Sequence, residues 1–571
     1  MYCRVLACDF DGTGATDGRL APEVVAALGK ARAQGVAALL VTGRVLEDVE
    51  ALCGDLSIFD AVVAENGAVV CLPQQQRIIQ LGEPPSEHFL GELRARGVPF
   101  HVGAVIVGSW DRHAAEVLEL IRRFAIDGQL IFNREAMMLL PSGINKAIGT
   151  SRALEELGRS ERNMIAFGDA ENDLPLFALS EIGVAARGAL PTIAEQADDR
   201  LTQPGGAGVA QYIHRLLEQG GTIPSPPRRR LVLGRDLDGE PVSIPGSGIN
   251  LMITGDPRSG KSWLAGLVAE QLIDQRYRLC VIDPEGDYLS LGERPHVLTF
   301  GHDLALPEPV ALPRILRSEP VSLVLSLASL SQDAQATYVE AALSELERCC
   351  TDTGIPQWIL VDEAQYFFHN SFLTNPRFAG TANLLFATYR PSLVSNKVFA
   401  AVKGHLITHT TVEEERYFIT SLLRSYGPPD IVVSEALRQI ELPRAGLLLE
   451  DPTYPRWQVF TPGARVTAHA HHARKYADTR LPEDKAFRFL HANGVPAVAH
   501  NMMEFHSAIQ TATVASLRHH LTRGDFSRWA ADVLGDQELA RGLHKIERAV
   551  VDGAAPDRAE ILAHIEDHYR I

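Results

Sequence analysis

Between Arg4 and Leu217 the chain alternates short, wholly apolar runs with segments of helical period: VLAC, PEVVAALGKARAQG, VAALLVTG, AVVAENGAVV. An unbroken apolar run suits a strand buried on both faces, and strands alternating with helices predict a parallel sheet with crossover connections. A breaker-rich stretch follows, EQGGTIPSPPRRR (218–230), which reads as an exposed linker whose three arginines are solvated. RLVLGRDLDGEPVSI then alternates in the manner of β structure, and a second strand–helix series runs from INLMITG to about RWQVF (456–460). From about residue 466 the spacing turns helical and strand runs are few. The expected organisation is an α/β domain over 1–217, a linker over 218–230, a second α/β domain over 231–465 and a helical module over 466–571.

Composition narrows the setting. With 571 residues the chain has room for three or four domains, and 46% hydrophobic with 22% charged residues is ordinary globular usage. A net charge of −17 argues against a surface that attracts nucleic acid as a whole and leaves room for a local site, including a basic channel built by oligomerisation. Seven cysteines with no CxxC predict buried, reduced thiols. No stretch reaches 18 uninterrupted apolar residues, and the chain opens straight into a strand pattern, which predicts a cytoplasmic protein without membrane contact.

Acids at strand ends then stand out. DFDGT puts Asp9 and Asp11 directly after VLAC, where a parallel strand's C-terminal end opens into the ligand crevice. A carboxylate there can attack phosphorus to form an aspartyl-phosphate, and a second acid two residues on can exchange a proton with the leaving oxygen. Further parts follow in order: Thr42 in VTGR, Lys146 in SGINK, and Asp169 and Asp173 in FGDAEND. Phosphate beside carboxylates needs a cation, and acids from two strand ends can share Mg²⁺.

DFDGT, TGR, Lys146 and GDAENDLP together resemble the four motifs of haloacid dehalogenase-like (HAD) phosphohydrolases, and AENGAVV resembles the Cof-type subgroup, whose cap lies between the second and third motifs. The resemblance covers about 215 residues. It implies a Rossmann-like core with a small α/β cap at about 82–132. It makes Asp9 the nucleophile, Asp11 the general acid/base, Thr42 and Lys146 the phosphoryl anchors, and Asp169 and Asp173 the completion of the Mg²⁺ site; Asp9 and Asp11 count among the metal residues.

A second site is expected at GDPRSGKS (255–262), preceded by INLMIT and followed by WLAGLVAEQLI. The pattern G-x-x-x-x-G-K-[ST] between a strand and a helix predicts a phosphate-wrapping loop, here Gly255, Asp256, Pro257, Arg258, Ser259, Gly260, Lys261 and Ser262. Lys261 would reach the β- and γ-phosphates of ATP and Ser262 would ligate Mg²⁺. WILVDEAQ (358–365) supplies Asp362 to hold the ion through water and Glu363 to polarise the attacking water.

With CVIDPEGDY (280–288) and LLFATYRPSLVSNKV (384–398), this region resembles the HerA/FtsK group of P-loop motor ATPases over about 228–462. The resemblance implies a RecA-like domain, a homohexameric ring, a sensor at Thr388 or Tyr389, and an arginine finger for which Arg390 and Arg416 are candidates. The tail around Trp529 resembles a small helical accessory module. HAHH (469–472) and HH (519–520) lack a matching ligand set and read as solvated or helix-end histidines.

The function expected is therefore bifunctional: a Mg²⁺-dependent phosphohydrolase fused to a ring-forming ATPase. The phosphatase would act on a phosphorylated small molecule or a nucleic-acid end. In one reading the ATPase moves duplex DNA, as would suit repair or anti-phage defence. In the other it is an ATP-gated oligomeric platform that regulates the phosphatase without translocation.

Overall fold

A computed structural model of the chain describes residues 2–16, 18–133, 135–302, 304–369, 383–428, 431–450, 456–467, 481, 483, 485–490, 497–534 and 536–569. Contacts divide it into two compact units. The first comprises Met1–Ile282, Leu291–Leu325 and Ser329–Thr467, and the second comprises Asp283–Ser290, Ser326–Ala328 and Ala468–Ile571.

The first unit opens with an eight-stranded sheet in the order Asp199–Arg200, Ile182–Ala185, Met164–Gly168, Val5–Asp9, Ala37–Val41, Ala61–Ala64, Val69–Leu72, Arg77–Gln80. Its centre is parallel, and its last two pairings are antiparallel. Successive strand residues face opposite sides. Leu6, Cys8, Ala38, Leu40, Ile165 and Phe167 therefore join one core with the helices Pro22–Ala33 and Gly205–Glu218. Val5, Ala7, Leu39, Val41, Met164 and Ala166 join another with Lys146–Glu156 and Leu174–Leu179. Burial on both faces is why these runs are apolar throughout.

The cap is a four-stranded antiparallel sheet, ordered Gly128–Asn133, Ala136–Pro141, Val107–Trp110, His101–Val102, carrying the helices Glu87–Ala95 and Ala114–Arg123. It continues to Pro141, beyond the expected boundary at Phe132. The last strand, AMMLLP, is covered on both faces: Met137 and Leu139 pack on the cap helices, Met138 and Leu140 on the core.

A larger sheet of eleven strands follows in the order Pro241–Ile244, Leu231–Asp236, Arg456–Pro462, Ala445–Leu449, Gly404–Ile407, Leu251–Thr254, Asn383–Thr388, Trp358–Val361, Leu279–Asp283, Ser322–Ser326, Val297–Phe300. The strand Leu251–Thr254 lies between two parallel neighbours, while the flank from Gly404–Ile407 to Pro241–Ile244 is antiparallel.

The stretch 218–230 is not a free tether. Arg228 donates to the carbonyl oxygens of Phe177, Ser180 and Glu181 and pairs with Asp198, while Arg229 donates to those of Ala178 and Ser180. The expectation of solvated arginines is corrected for both. They answer the unpaired carbonyls at the C-terminal end of the helix Leu174–Leu179, the end a cation favours. Beside them, fully buried Glu181 accepts from Tyr277 Oη at 2.9 Å, Ser225 Oγ at 3.1 Å and Ser247 Oγ at 3.2 Å, so an acid of the first domain binds both the connecting stretch and the second domain.

In the second unit the helices Met502–Thr511, Val514–Arg523, Gln537–Val551 and Arg558–Tyr569 enclose an aromatic core of Phe487, Phe489, Phe505, Phe526 and Trp529. A short hairpin, Phe487–Phe489 with Ala497–Ala499, joins the expected helices. His520 is buried rather than solvated: Nδ1 lies 2.9 Å from Asp525 Oδ2, and Nε2 accepts the Leu490 N–H. The HAHH segment lies outside the described residues. Among those described, all seven cysteines are free thiols, six of them buried, and no helix is long and apolar enough to cross a membrane.

Candidate active site

Asp9 ends the strand Val5–Asp9 and Asp169 follows Met164–Gly168, its parallel neighbour, so register alone brings the two acids together. Asp173 joins them, and each of the three offers a carboxylate oxygen within 4.8 Å of the others. Lys146 Nζ lies 2.6 Å from Asp9 Oδ1 and 2.6 Å from Asp173 Oδ1. Burial pushes the Asp9 carboxyl well above the usual range, against the pull of the Lys146 ammonium. Burial also works against the charge on Lys146, but Asp173 and Asp9 outweigh it and hold the lysine protonated. Asp173 is engaged on both sides, since Oδ2 accepts the N–H groups of Asp169 and Ala170. Asp9, Asp169 and Asp173 together form a group that could hold a metal ion, with Asp173 the most engaged by the chain itself. Gly12 is required beside them: at φ +78° a Cβ would sit 2.3 Å from Asp169 Oδ2.

Asp11 stands apart from this acid group. Its carboxylate forms a two-pronged pair with Arg44, at 2.7 Å from both Nε and Nη2, and remains about half exposed. The Asp11 carboxylate, expected among the metal residues, thus lies outside the group formed by Asp9, Asp169 and Asp173. Thr42 is fully buried, and its Oγ1 accepts the Arg44 N–H at 3.2 Å, which leaves its hydroxyl proton for a phosphoryl oxygen. A cavity of about 170 Å³ opens beside Lys146, lined by Asn66, Glu171 and Asn172 from the core and Ile131 and Phe132 from the cap. Arg44, Asn66 and Asn172 were not singled out from the sequence, although each lies inside or beside a quoted motif.

The profile of the haloacid dehalogenase-like hydrolases matches residues 6–88 and 120–213, and the gap falls inside the cap. Phosphoglycolate phosphatase of Methanothermobacter thermautotrophicus is 33% identical over 221 residues, 38% of this chain and 99% of the relative. The N-terminal part of this chain belongs to the haloacid dehalogenase-like hydrolases. Phosphoglycolate phosphatase 2 of Saccharolobus solfataricus is 28% identical over 31% of the chain and 76% of its own length. A solved haloacid dehalogenase-like hydrolase from Bacteroides thetaiotaomicron is 20% identical, covering 38% of this chain and 99% of its own, with a TM-score of 0.35.

Outside the HAD domain, Gly255–Gly260 bridges the strand Leu251–Thr254 and the helix Lys261–Asp274. Gly255 has φ +149°, and a Cβ there would meet Thr408 Oγ1 at 1.9 Å; Gly260, at φ +96°, caps the helix. Asp256 anchors the loop, donating its N–H to His409 O and accepting from Thr411 N and Oγ1 at 2.6 Å each. Lys261 Nζ donates to Asp256 O at 3.0 Å and lies 5.9 Å from the centre of the Tyr389 ring. Ser259 and Ser262 are buried, while Pro257 and Arg258 form the turn, the latter at φ +64°. Asp362 and Glu363, both fully buried, follow the strand Trp358–Val361. Thr388 Oγ1 donates to Gln365 Oε1 at 2.6 Å and Gln365 Nε2 to Glu363 Oε2 at 2.7 Å, which links Thr388 to Glu363. Arg390 and Arg416 are exposed, and neither is distinguished by these contacts.

Proposed function

We propose that the HAD domain hydrolyses a small phosphate monoester through a covalent intermediate on Asp9, and that the second α/β domain binds and hydrolyses ATP. The observation that carries the first part is the buried Asp9 carboxylate, held 2.6 Å from Lys146 beside Asp169.

An Asp9 oxygen attacks phosphorus as the ester P–O bond breaks, and Asp11 gives its proton to the leaving oxygen. Water then attacks the phosphorus, Asp11 takes the water's proton, and the bond to Asp9 breaks to release phosphate. Thr42 and Lys146 fix the phosphoryl oxygens throughout. HAD phosphatases typically use Mg²⁺; Asp9 and Asp169 would hold it here, where it would offset charge on those oxygens.

The cavity of about 170 Å³ admits a short leaving group, and the curated relatives make phosphoglycolate the first substrate to try. With Mg²⁺ and phosphoglycolate the protein is expected to release phosphate, and Asp9→Asn to lower the rate by about four orders of magnitude. Turnover that survives in Asp9→Asn would sink the nucleophile assignment.

The ATP part rests on the glycine-rich loop between strand and helix, with buried Asp362 and Glu363 from a sheet strand. Of the two uses of such a domain, the net charge of −17 favours an oligomeric, ATP-gated platform over a duplex-DNA motor. ATP turnover indifferent to duplex DNA agrees with the platform, and strong stimulation by DNA overturns it in favour of the motor.

A further inference from the structure

The turn Glu65–Asn66–Gly67 lies outside the phosphoryl chemistry yet touches the cap and the segments at Thr42, Asn145 and Asn172 that border the site. Glu65 is 1% exposed. Its Oε1 accepts the Ala104 N–H at 2.7 Å, and its Oε2 accepts those of Val105 and Ile106 at 2.9 and 3.0 Å. Three successive backbone N–H groups of the cap thus converge on one buried carboxylate of the core, an anion nest turned inward. The approach is close enough to require glycine next door, since a Cβ on Gly103 would lie 2.6 Å from the Glu65 carboxyl carbon.

The same turn reaches the catalytic loops. Glu65 N–H bonds Arg44 O and Asn66 N–H bonds Thr42 O. The Asn66 side chain accepts from Asn172 Nδ2 at 2.9 Å, one residue before Asp173, and donates to Met138 Sδ in the cap. A Cβ on Gly67 would strike Asn145 O, one residue before Lys146. Glu65 and Asn66 hold φ near +53° and +52°, a region costly for residues with side chains and maintained only where the surroundings fix it. Where the chain enters and leaves the cap, Gly82 packs on Pro141 and Val105, so the clamped segment borders the cap's hinge.

We propose that Glu65 is a positioning residue that fixes the cap's height over the cavity beside Lys146, the partner of Asp9, and so sets the size of leaving group the phosphatase accepts. The inference rests on the HAD phosphatase reading above. The cavity roof, Ile131 and Phe132, belongs to the cap, and its floor at Lys146 belongs to the core. Its height is therefore the distance the clamp holds. A cap released from Glu65 admits bulkier esters and orients small ones poorly.

The test compares phosphoglycolate with p-nitrophenyl phosphate in the full chain, as wild type, Glu65→Gln and Glu65→Ala, with hydrogen exchange followed at Ala104, Val105 and Ile106. In Glu65→Ala the ratio of kcat/KM for the small ester over the bulky one is expected to fall by about tenfold or more, chiefly through KM for the small ester. Exchange at the three amides should accelerate. Glu65→Gln keeps one acceptor oxygen and should recover part of both effects.

A selectivity ratio unchanged within about twofold overturns the proposal. So does an equal loss on both esters, which is what a merely structural role gives. Should Glu65→Ala not fold, Glu65→Gln carries the comparison. If the wild type hydrolyses neither ester, the substrate reading fails by itself, and exchange then decides the clamp: fast exchange at the three wild-type amides overturns it.

Discussion

Two lysines of this chain sit in the same local position, and the groups around them differ. Lys146 opens the helix Lys146–Glu156 and Lys261 opens Lys261–Asp274, with exposures of 2% and 3%. Each is a buried cation at the end of a helix where the dipole is already positive, so each needs compensation. Lys146 finds it in two carboxylates at 2.6 Å. Lys261 donates to a neutral carbonyl, Asp256 O, and sits above an aromatic ring. In the phosphatase site, charge balance is built from the chain's own acids and belongs to the fold. At the glycine-rich loop, Lys261 bonds Asp256 O, and under the proposed ATP reading the helix end and its lysine would face the phosphates together. The first lysine should therefore matter most to stability, the second most to ligand binding.

Lys146→Met is expected to have the largest effect. It leaves Asp9 and Asp173 buried against each other without their cation, a loss of about 3–5 kcal/mol and of order 10 °C in melting temperature. Adding Asp173→Asn should restore part of that loss by removing one of the two acids. A Lys146→Met protein that melts with wild type would break the comparison. Lys261→Ala should shift the ligand-free midpoint less than Lys146→Met does, yet erase the rise produced by ATP with Mg²⁺. That rise amounts to about 2.7 kcal/mol at a hundredfold excess over Kd. If the order is reversed, so that Lys261→Ala costs the fold more, the contrast is wrong in kind.

What could be read from the sequence was whatever chemistry imposes on neighbouring residues. Asp9 with Asp11, Asp169 with Asp173, and the spacing from Gly255 to Ser262 are local patterns, and apolar runs announce strands covered on both faces. The rest depends on contacts that leave no residue-type signature. Glu65 grips three backbone N–H groups, which any residue except proline supplies. Arg44 meets Asp11 across 33 positions of chain, so Asp11's pairing was invisible beside the stronger signal of two acids in DFDGT. Arg228 and Arg229 bind carbonyl oxygens and the carboxylates of Asp198 and Glu181, whereas a run of arginines by itself reads as solvated. AMMLLP is apolar throughout because cap helices cover one face of that strand and the core the other, so nothing in it marks the cap's end. Phe487–Phe489 spans three residues, too short for alternation to register.

A third charged helix end sharpens the comparison with the smallest expected effect. Asp536, in the second unit, caps Gln537–Val551 by accepting the Leu539 N–H at 2.9 Å, and its other oxygen meets His568 Nε2 at 2.7 Å and Tyr569 Oη at 3.1 Å. Here the charge has the sign the helix end favours. Burial pushes this carboxyl upward, but the bonds from His568, Leu539 and Tyr569 outweigh it and hold its pKa below the usual aspartate value. A folded-state value below the unfolded one means that the stabilisation is complete above about pH 3.8 and is lost as pH falls through the lowered value. Asp536→Asn should cost about 1 kcal/mol at neutral pH and nothing below the folded-state pKa, so the two melting curves converge in acid. Convergence towards alkaline pH instead would show that the carboxylate is not stabilised by its helix end and its histidine. Unlike the lysines, it would then be a charge the fold tolerates rather than uses.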